Sequence, residues 1–74
     1  MKVKVKLFAS LRTFGPDDQV LELPDQTTID DVVGLLRIPG TIRLLRIVNG
    51  KHMPSDHDLE DGDELALFPP IAGG

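Results

Sequence analysis

The chain contains no cysteine, tryptophan or tyrosine. Without cysteine it has no disulfide, no thiol nucleophile and no thiolate metal ligand, so any sulfur it handles must ride on another group. Three phenylalanines are the only aromatic side chains and two histidines the only imidazoles. His52 and His57 straddle a loop with no third ligand at a metal-site spacing, and they read as surface residues. Basic side chains stop at Lys51, whereas Asp56, Asp58, Glu60, Asp61, Asp63 and Glu64 all fall in the last third. With a formal net charge of −4, the chain lacks the basic face that nucleic acid or an anionic membrane requires. An acidic rim beside the C-terminus would suit a basic partner, although ordinary solvated surface is the simpler reading. No apolar run approaches the roughly 18 residues of a membrane span, and the run within Lys2–Leu11 is too short for a signal peptide. The chain therefore reads as cytoplasmic.

At 74 residues the chain makes one domain that buries only about 60% of its unfolded surface, too little to enclose a catalytic cleft. No Ser-His-Asp set, phosphate-binding glycine loop or activated lysine is present, so no catalytic residue is assigned. Asp56-His-Asp-Leu-Glu-Asp-Gly62 alternates carboxylates like a calcium loop. Counted from Asp56, however, its glycine falls one position late and its twelfth position is Leu67, where calcium needs a bidentate glutamate. No metal site is expected.

Lys2-Val-Lys-Val-Lys-Leu-Phe8 alternates with period two, which predicts a strand with Val3, Val5 and Leu7 inward and the lysines and Phe8 outward. A short helical turn after Ala9 and the Gly15-Pro-Asp-Asp18 breaker lead into a second strand, Gln19–Leu23, ended by Pro24. Thr28 caps a helix with Asp31 at its third position, and both aspartates of Asp30-Asp31 favour the positive end of the helix dipole. Ile29, Val32, Val33 and Leu36 form one apolar stripe. Because Ile38 precedes a proline, the helix should stop near Arg37 after about ten residues. Asn49-Gly50 between Leu44–Val48 and Lys51–Met53 is the signature of a two-residue hairpin turn. Asp61-Gly62 then turns the chain into a last strand, Asp63–Phe68, with Leu65 and Leu67 inward and Phe68 outward.

Strand, strand, helix and further strands, with one helix to cover one sheet face, make an α+β roll of the ubiquitin-like β-grasp type. The first and last strands should be parallel neighbours joined through the helical crossover. Phe8 and Phe68 would then stand side by side on the outer face, better explained by partner docking than by folding.

The chain ends Leu65-Ala-Leu-Phe-Pro-Pro-Ile-Ala-Gly-Gly74, a stretch without a charged side chain. Pro69 and Pro70 each lack a backbone donor and end the sheet, so residues 1–68 form the domain and 69–74 a flexible tail. Six extended residues reach at most roughly 20 Å, enough to enter another protein's active site. Gly73 and Gly74, lacking Cβ, would pass a narrow channel and present the terminal carboxylate there.

Asn49-Gly50, the Asp61-Gly-Asp-Glu64 turn, Leu7-Phe-Ala-Ser-Leu-Arg12 and above all Phe68-Pro-Pro-Ile-Ala-Gly-Gly74 resemble the MoaD/ThiS family of sulfur-carrier proteins. The Phe-Pro-Pro-x-x-Gly-Gly ending is most similar to the MoaD branch. The resemblance implies a co-substrate, not an enzyme. Gly74 would be adenylated by an E1-like activating enzyme of the MoeB/ThiF type, which uses ATP and magnesium, and then converted to a thiocarboxylate. Pro69, Pro70, Ile71, Ala72 and Gly73 would enter a partner, with Phe8, Phe68 and His52 docking beside them. That partner would be the MoaE-type large subunit of molybdopterin synthase, where sulfur passes to a pyranopterin precursor. A thiazole synthase served by a ThiS-like carrier is the nearest alternative, and a ubiquitin-like modifier ending in an isopeptide bond is another. Two features depart from the family pattern. The connection Ile38–Thr41 is short, and His52 occupies a position where the family places an apolar docking residue.

Overall fold

The alternating opening does form a strand, β1 (Lys2–Leu7), and it becomes the second strand of a five-stranded mixed sheet. In this computed structural model residues 1–70 are described. Val3, Val5 and Leu7 are fully buried, while Lys2 and Lys4 are exposed. A 3-10 helix, Ala9–Phe14, drops Leu11 into the core and leads to β2 (Asp18–Glu22). After helix α1 (Ile29–Leu35) come β3 (Leu45–Val48), β4 (Lys51–His52) and β5 (Glu64–Phe68). The order across the sheet is β2-β1-β5-β3-β4. β1 and β5 are parallel neighbours in register Val5↔Leu65 and Leu7↔Leu67, as the crossover topology requires.

Thr28 caps α1 as its sequence predicts. Its hydroxyl accepts from the Asp31 amide at 3.1 Å, and the Asp31 carboxylate accepts from the Thr28 amide at 3.0 Å. Ile29, Val32 and Val33 are buried and Leu36 is half-buried, so the apolar stripe lies on the sheet. The helix is shorter than its periodicity suggests, seven residues where about ten are expected. Its end is a Schellman motif: the Ile38 amide bonds to Val33 O and the Arg37 amide to Gly34 O, with Arg37 at φ 60°. Leu35, the last helical residue and off the apolar stripe, is 63% exposed, and the Schellman turn brings Ile38 back into the core at 4%.

The β3–β4 turn has Asn49 at φ 50° and Gly50 at φ 84°, both left-handed as a type I′ turn demands. Asn49 does more than turn the chain. Its side-chain oxygen accepts from the Glu64 amide at 2.9 Å and its Nδ2 donates to Asp63 at 2.8 Å, which ties the hairpin to the start of β5. Pro54 follows closely and leaves β4 only two residues long, a short edge that offers little to a stray strand. Among the described residues thirteen aliphatic side chains and no aromatic make up the buried core, so it is small and sensitive to any one deletion.

Candidate functional site

Pairing across the sheet fixes which side chains share its outer face, the one away from α1. Leu65 and Leu67 are fully buried, so their neighbours Glu64, Ala66 and Phe68 point outward, level with Lys4 and Lys6 of β1 and with Phe8 just after it. The rings of Phe8 and Phe68 stack, centroids 4.2 Å apart and planes 10° from parallel. Each ring is half-buried. The Phe8 amide donates to Leu67 O at 3.2 Å, so the main chain holds Phe8 at the end of β5 where the two strands finish together.

The sheet also brings up two residues that strand assignment from sequence did not single out. Leu45 pairs with Phe68 and Ile47 with Ala66, which places both on the outer face beside the aromatic pair. Leu45 is 45% exposed. The signal was available: counting back by twos from buried Val48 puts Arg46 inward and Leu45 and Ile47 outward. Arg46 does sit on the helix side, opposite Leu67, with Nη1 donating to Leu44 O at 3.2 Å. His52 pairs with Ile47 and therefore shares the outer face, exposed at its margin and one strand beyond Ile47. The outer face thus joins Phe8, Phe68, Leu45, Ile47 and Ala66 into an apolar patch, with His52 at one border and Lys6 at the other. Lys6 is ion-paired to Glu64 at 3.4 Å.

Pro69 and Pro70 continue from β5, half-buried and exposed respectively. The remaining candidate tail residues, Ile71, Ala72, Gly73 and Gly74, lie outside the described residues.

Asp63 and Glu64 of the acidic rim do not lie beside the root of the tail at Pro69. Asp63 precedes β5 and Glu64 begins it whereas Phe68 ends it, and the five residue steps from Asp63 to Phe68 cover roughly 16 Å. Sequence proximity misled because a strand carries its two ends to opposite edges of the sheet. The carboxylates there are instead structural: Asp61 accepts from the Lys2 amide at 2.7 Å, and Asp63 accepts from the Glu60 amide at 2.8 Å. Among the described residues no group of three or more His, Cys, Asp or Glu is arranged to hold a metal ion. No helix is long and apolar enough to cross a membrane, again among the described residues.

The described residues form a ubiquitin-like β-grasp domain with an apolar outer face at the root of a Pro-Pro-x-x-Gly-Gly ending. A sequence model of the ThiS family matches residues 5–74, and the chain belongs to that family. It is 31% identical over 83 residues, all of both chains, to the molybdopterin synthase sulfur carrier subunit of Chlamydomonas reinhardtii. A stretch of 32 residues is 53% identical to the protein of that name from Escherichia coli, spanning 43% of this chain and 40% of that one. Among solved structures, the crystal structure of SAMP1 from Haloferax volcanii superposes with a TM-score of 0.73 at 31% identity over 100% of each chain.

Proposed function

We propose that this chain is a sulfur carrier for molybdopterin synthesis, activated at Gly74. The observation that carries the proposal is the stacked Phe8–Phe68 pair at the root of the tail, joined to a full-length likeness to a molybdopterin synthase sulfur carrier subunit. An apolar, partly desolvated patch of this kind anchors a partner. Anchored there, the chain's last residues would extend by up to roughly 20 Å into the partner.

The chemistry belongs to the carboxyl terminus. A carboxylate is a poor acyl donor, so an E1-like enzyme of the MoeB/ThiF type joins it to AMP, with pyrophosphate leaving from magnesium-bound ATP. A sulfur nucleophile at the sulfide oxidation level then displaces AMP: the C–S bond forms, the C–O bond to phosphate breaks, and the product is a thiocarboxylate. In the MoaE-type large subunit of molybdopterin synthase the thiocarboxylate sulfur forms a C–S bond to a carbon of the pyranopterin precursor, and a C–O bond at that carbon breaks with the oxygen as leaving group. Water then cleaves the acyl–sulfur bond and regenerates the Gly74 carboxylate. The chain's own part is to dock, extend and carry, and the catalytic groups are the partners'.

Intact mass of the protein isolated from its own cells tests this reading. Replacement of one oxygen by sulfur is the expected result, and co-purification with a molybdopterin synthase large subunit, as against a thiazole synthase, fixes the acceptor pathway. The full-length likeness to SAMP1 favours a second reading, a protein modifier. That reading predicts a Gly74 isopeptide to a lysine in the same mass analysis, and a mass showing neither change overturns both.

A further inference from the structure

Beside the aromatic pair, on its β3 side, the structure holds a groove of about 260 Å³ lined by Arg43, Leu44, Leu45, Pro69 and Pro70. Three features separate it from an ordinary surface dent. It is continuous with the apolar patch, because Leu45 is the cross-strand partner of Phe68. Its wall is the root of the tail itself, so anything that receives the tail must pass over it. Its charged side chain is Arg43, exposed and without a hydrogen bond or ion pair among the described residues.

Among the described residues that line the groove, Arg43 alone carries a charge. The acidic stretch Asp56–Glu64 ends at the far end of β5, and Asp17 and Asp18 lie on the β2 side, with β1 and β5 between them and β3. Three strand spacings make that about 14 Å, beyond the Debye length of about 8 Å at physiological salt. Arg43 is thus a cation on an apolar floor, without an ion pair among the described residues. A planar guanidinium in that setting is matched by a carboxylate held in fork geometry, and the Leu45, Pro69 and Pro70 floor by an aliphatic or aromatic side chain.

We infer that this groove seats an acidic segment of the sulfur acceptor's large subunit, with an Asp or Glu on Arg43 and an adjacent apolar side chain against Leu45, Pro69 and Pro70. The inference rests on the proposed docking of the tail and adds a specificity contact to it. Phe8 and Phe68 supply contact area, while Arg43 sets the rotation about the tail axis and rejects a partner with a basic channel mouth.

The test is a binding titration of the full chain against the molybdopterin synthase large subunit from the same cells, at about 50 mM and about 300 mM salt. The variants are Arg43→Ala, Arg43→Lys, Arg43→Glu and, as a reference for the aromatic patch, Phe68→Ala. Arg43→Glu is expected to weaken binding about tenfold or more at low salt and by clearly less at high salt, and Arg43→Lys to restore only part of the loss. A purely structural role would move neither the salt dependence nor the Arg-over-Lys preference. If Phe68→Ala weakens binding and Arg43→Glu stays within about twofold of wild type, the inference falls and the docking proposal stands. If the wild type does not bind the large subunit, both fall. Sedimentation of wild type and Arg43→Glu closes the remaining routes. A wild-type dimer that the variant dissolves would assign the groove to a second copy. Tighter binding by Arg43→Ala would assign it to the chain's own C-terminal carboxylate. Either result overturns the inference.

Discussion

Phe8, the residue after the first strand, lies flat on Phe68, the last residue of the last strand, with ring centroids 4.2 Å apart. An offset or stacked aromatic pair contributes about 0.5–1.5 kcal/mol beyond the area it buries. Each ring is half open to solvent, so part of that stabilisation is available to a partner. Phe68→Ala is expected to weaken binding of the large subunit by more than about 1 kcal/mol, and Phe8→Ala likewise. The two losses should be non-additive because each ring is the other's floor. Titration of both single variants and the double variant, beside urea unfolding, checks this; additive binding losses would show that the rings act separately.

Removing Gly74 should abolish activation and leave folding alone. Leu67 is the last core residue among those described, and the urea midpoint is expected to stay where it is. Acyl-adenylate formation by the truncated chain with its activating enzyme is the outcome that would sink the assignment of Gly74.

His52→Leu should tighten binding. His52 shares the outer face with Ile47 and Ala66, and an aliphatic side chain there would extend the apolar patch without touching the core. The expected gain is roughly 0.5–1 kcal/mol. An unchanged dissociation constant with the large subunit would place the interface border inside Ile47.

Arg37→Gly should stabilise the fold. Arg37 occupies the left-handed position of the Schellman motif at φ 60°, where a Cβ costs about 1 kcal/mol and glycine costs nothing sterically. The greater freedom of glycine in the unfolded chain takes back part of this, leaving a net gain of about 0.5 kcal/mol. A lowered urea midpoint would show that the Arg37 side chain makes a compensating contact.

Asn49→Ala should cost about 1–2 kcal/mol although the residue is exposed. It removes the side chain that bridges Glu64 and Asp63 and puts alanine at φ 50°. Urea unfolding reads the loss directly. A cost confined to about 0.3 kcal/mol would mean that water replaces both hydrogen bonds.

Much of this protein is written in short stretches of its sequence. The lysine–aliphatic alternation of Lys2–Leu7, the Thr28–Asp31 capping box and the Asn49-Gly50 turn each formed where the residues called for them. The capping box and the turn depend on interactions spanning four residues or fewer; β1 is held by β2 and β5, but which of its side chains face inward follows from the two-residue period alone. The outward setting of Phe8 and Phe68 was legible for the same reason, from alternation anchored on leucines. Their contact needed the parallel pairing of strands whose partners, such as Lys4 and Glu64, stand sixty positions apart, and here the crossover rule sufficed. Where the helix ends was legible only roughly, because Arg37 in a left-handed conformation is unfavourable locally and is held there by packing of Ile38 into the core. Two features belonged to the tertiary structure alone. One is that Leu45 and Ile47 join the outer patch, since an almost wholly apolar run such as Leu44–Val48 fits either face until its register against β5 is fixed. The other is that the carboxylates of Asp63 and Glu64, close to the tail in sequence, sit a strand's length away from its root at Pro69. Charge along a chain is a local property, whereas charge around a site depends on which ends of which strands the sheet brings together.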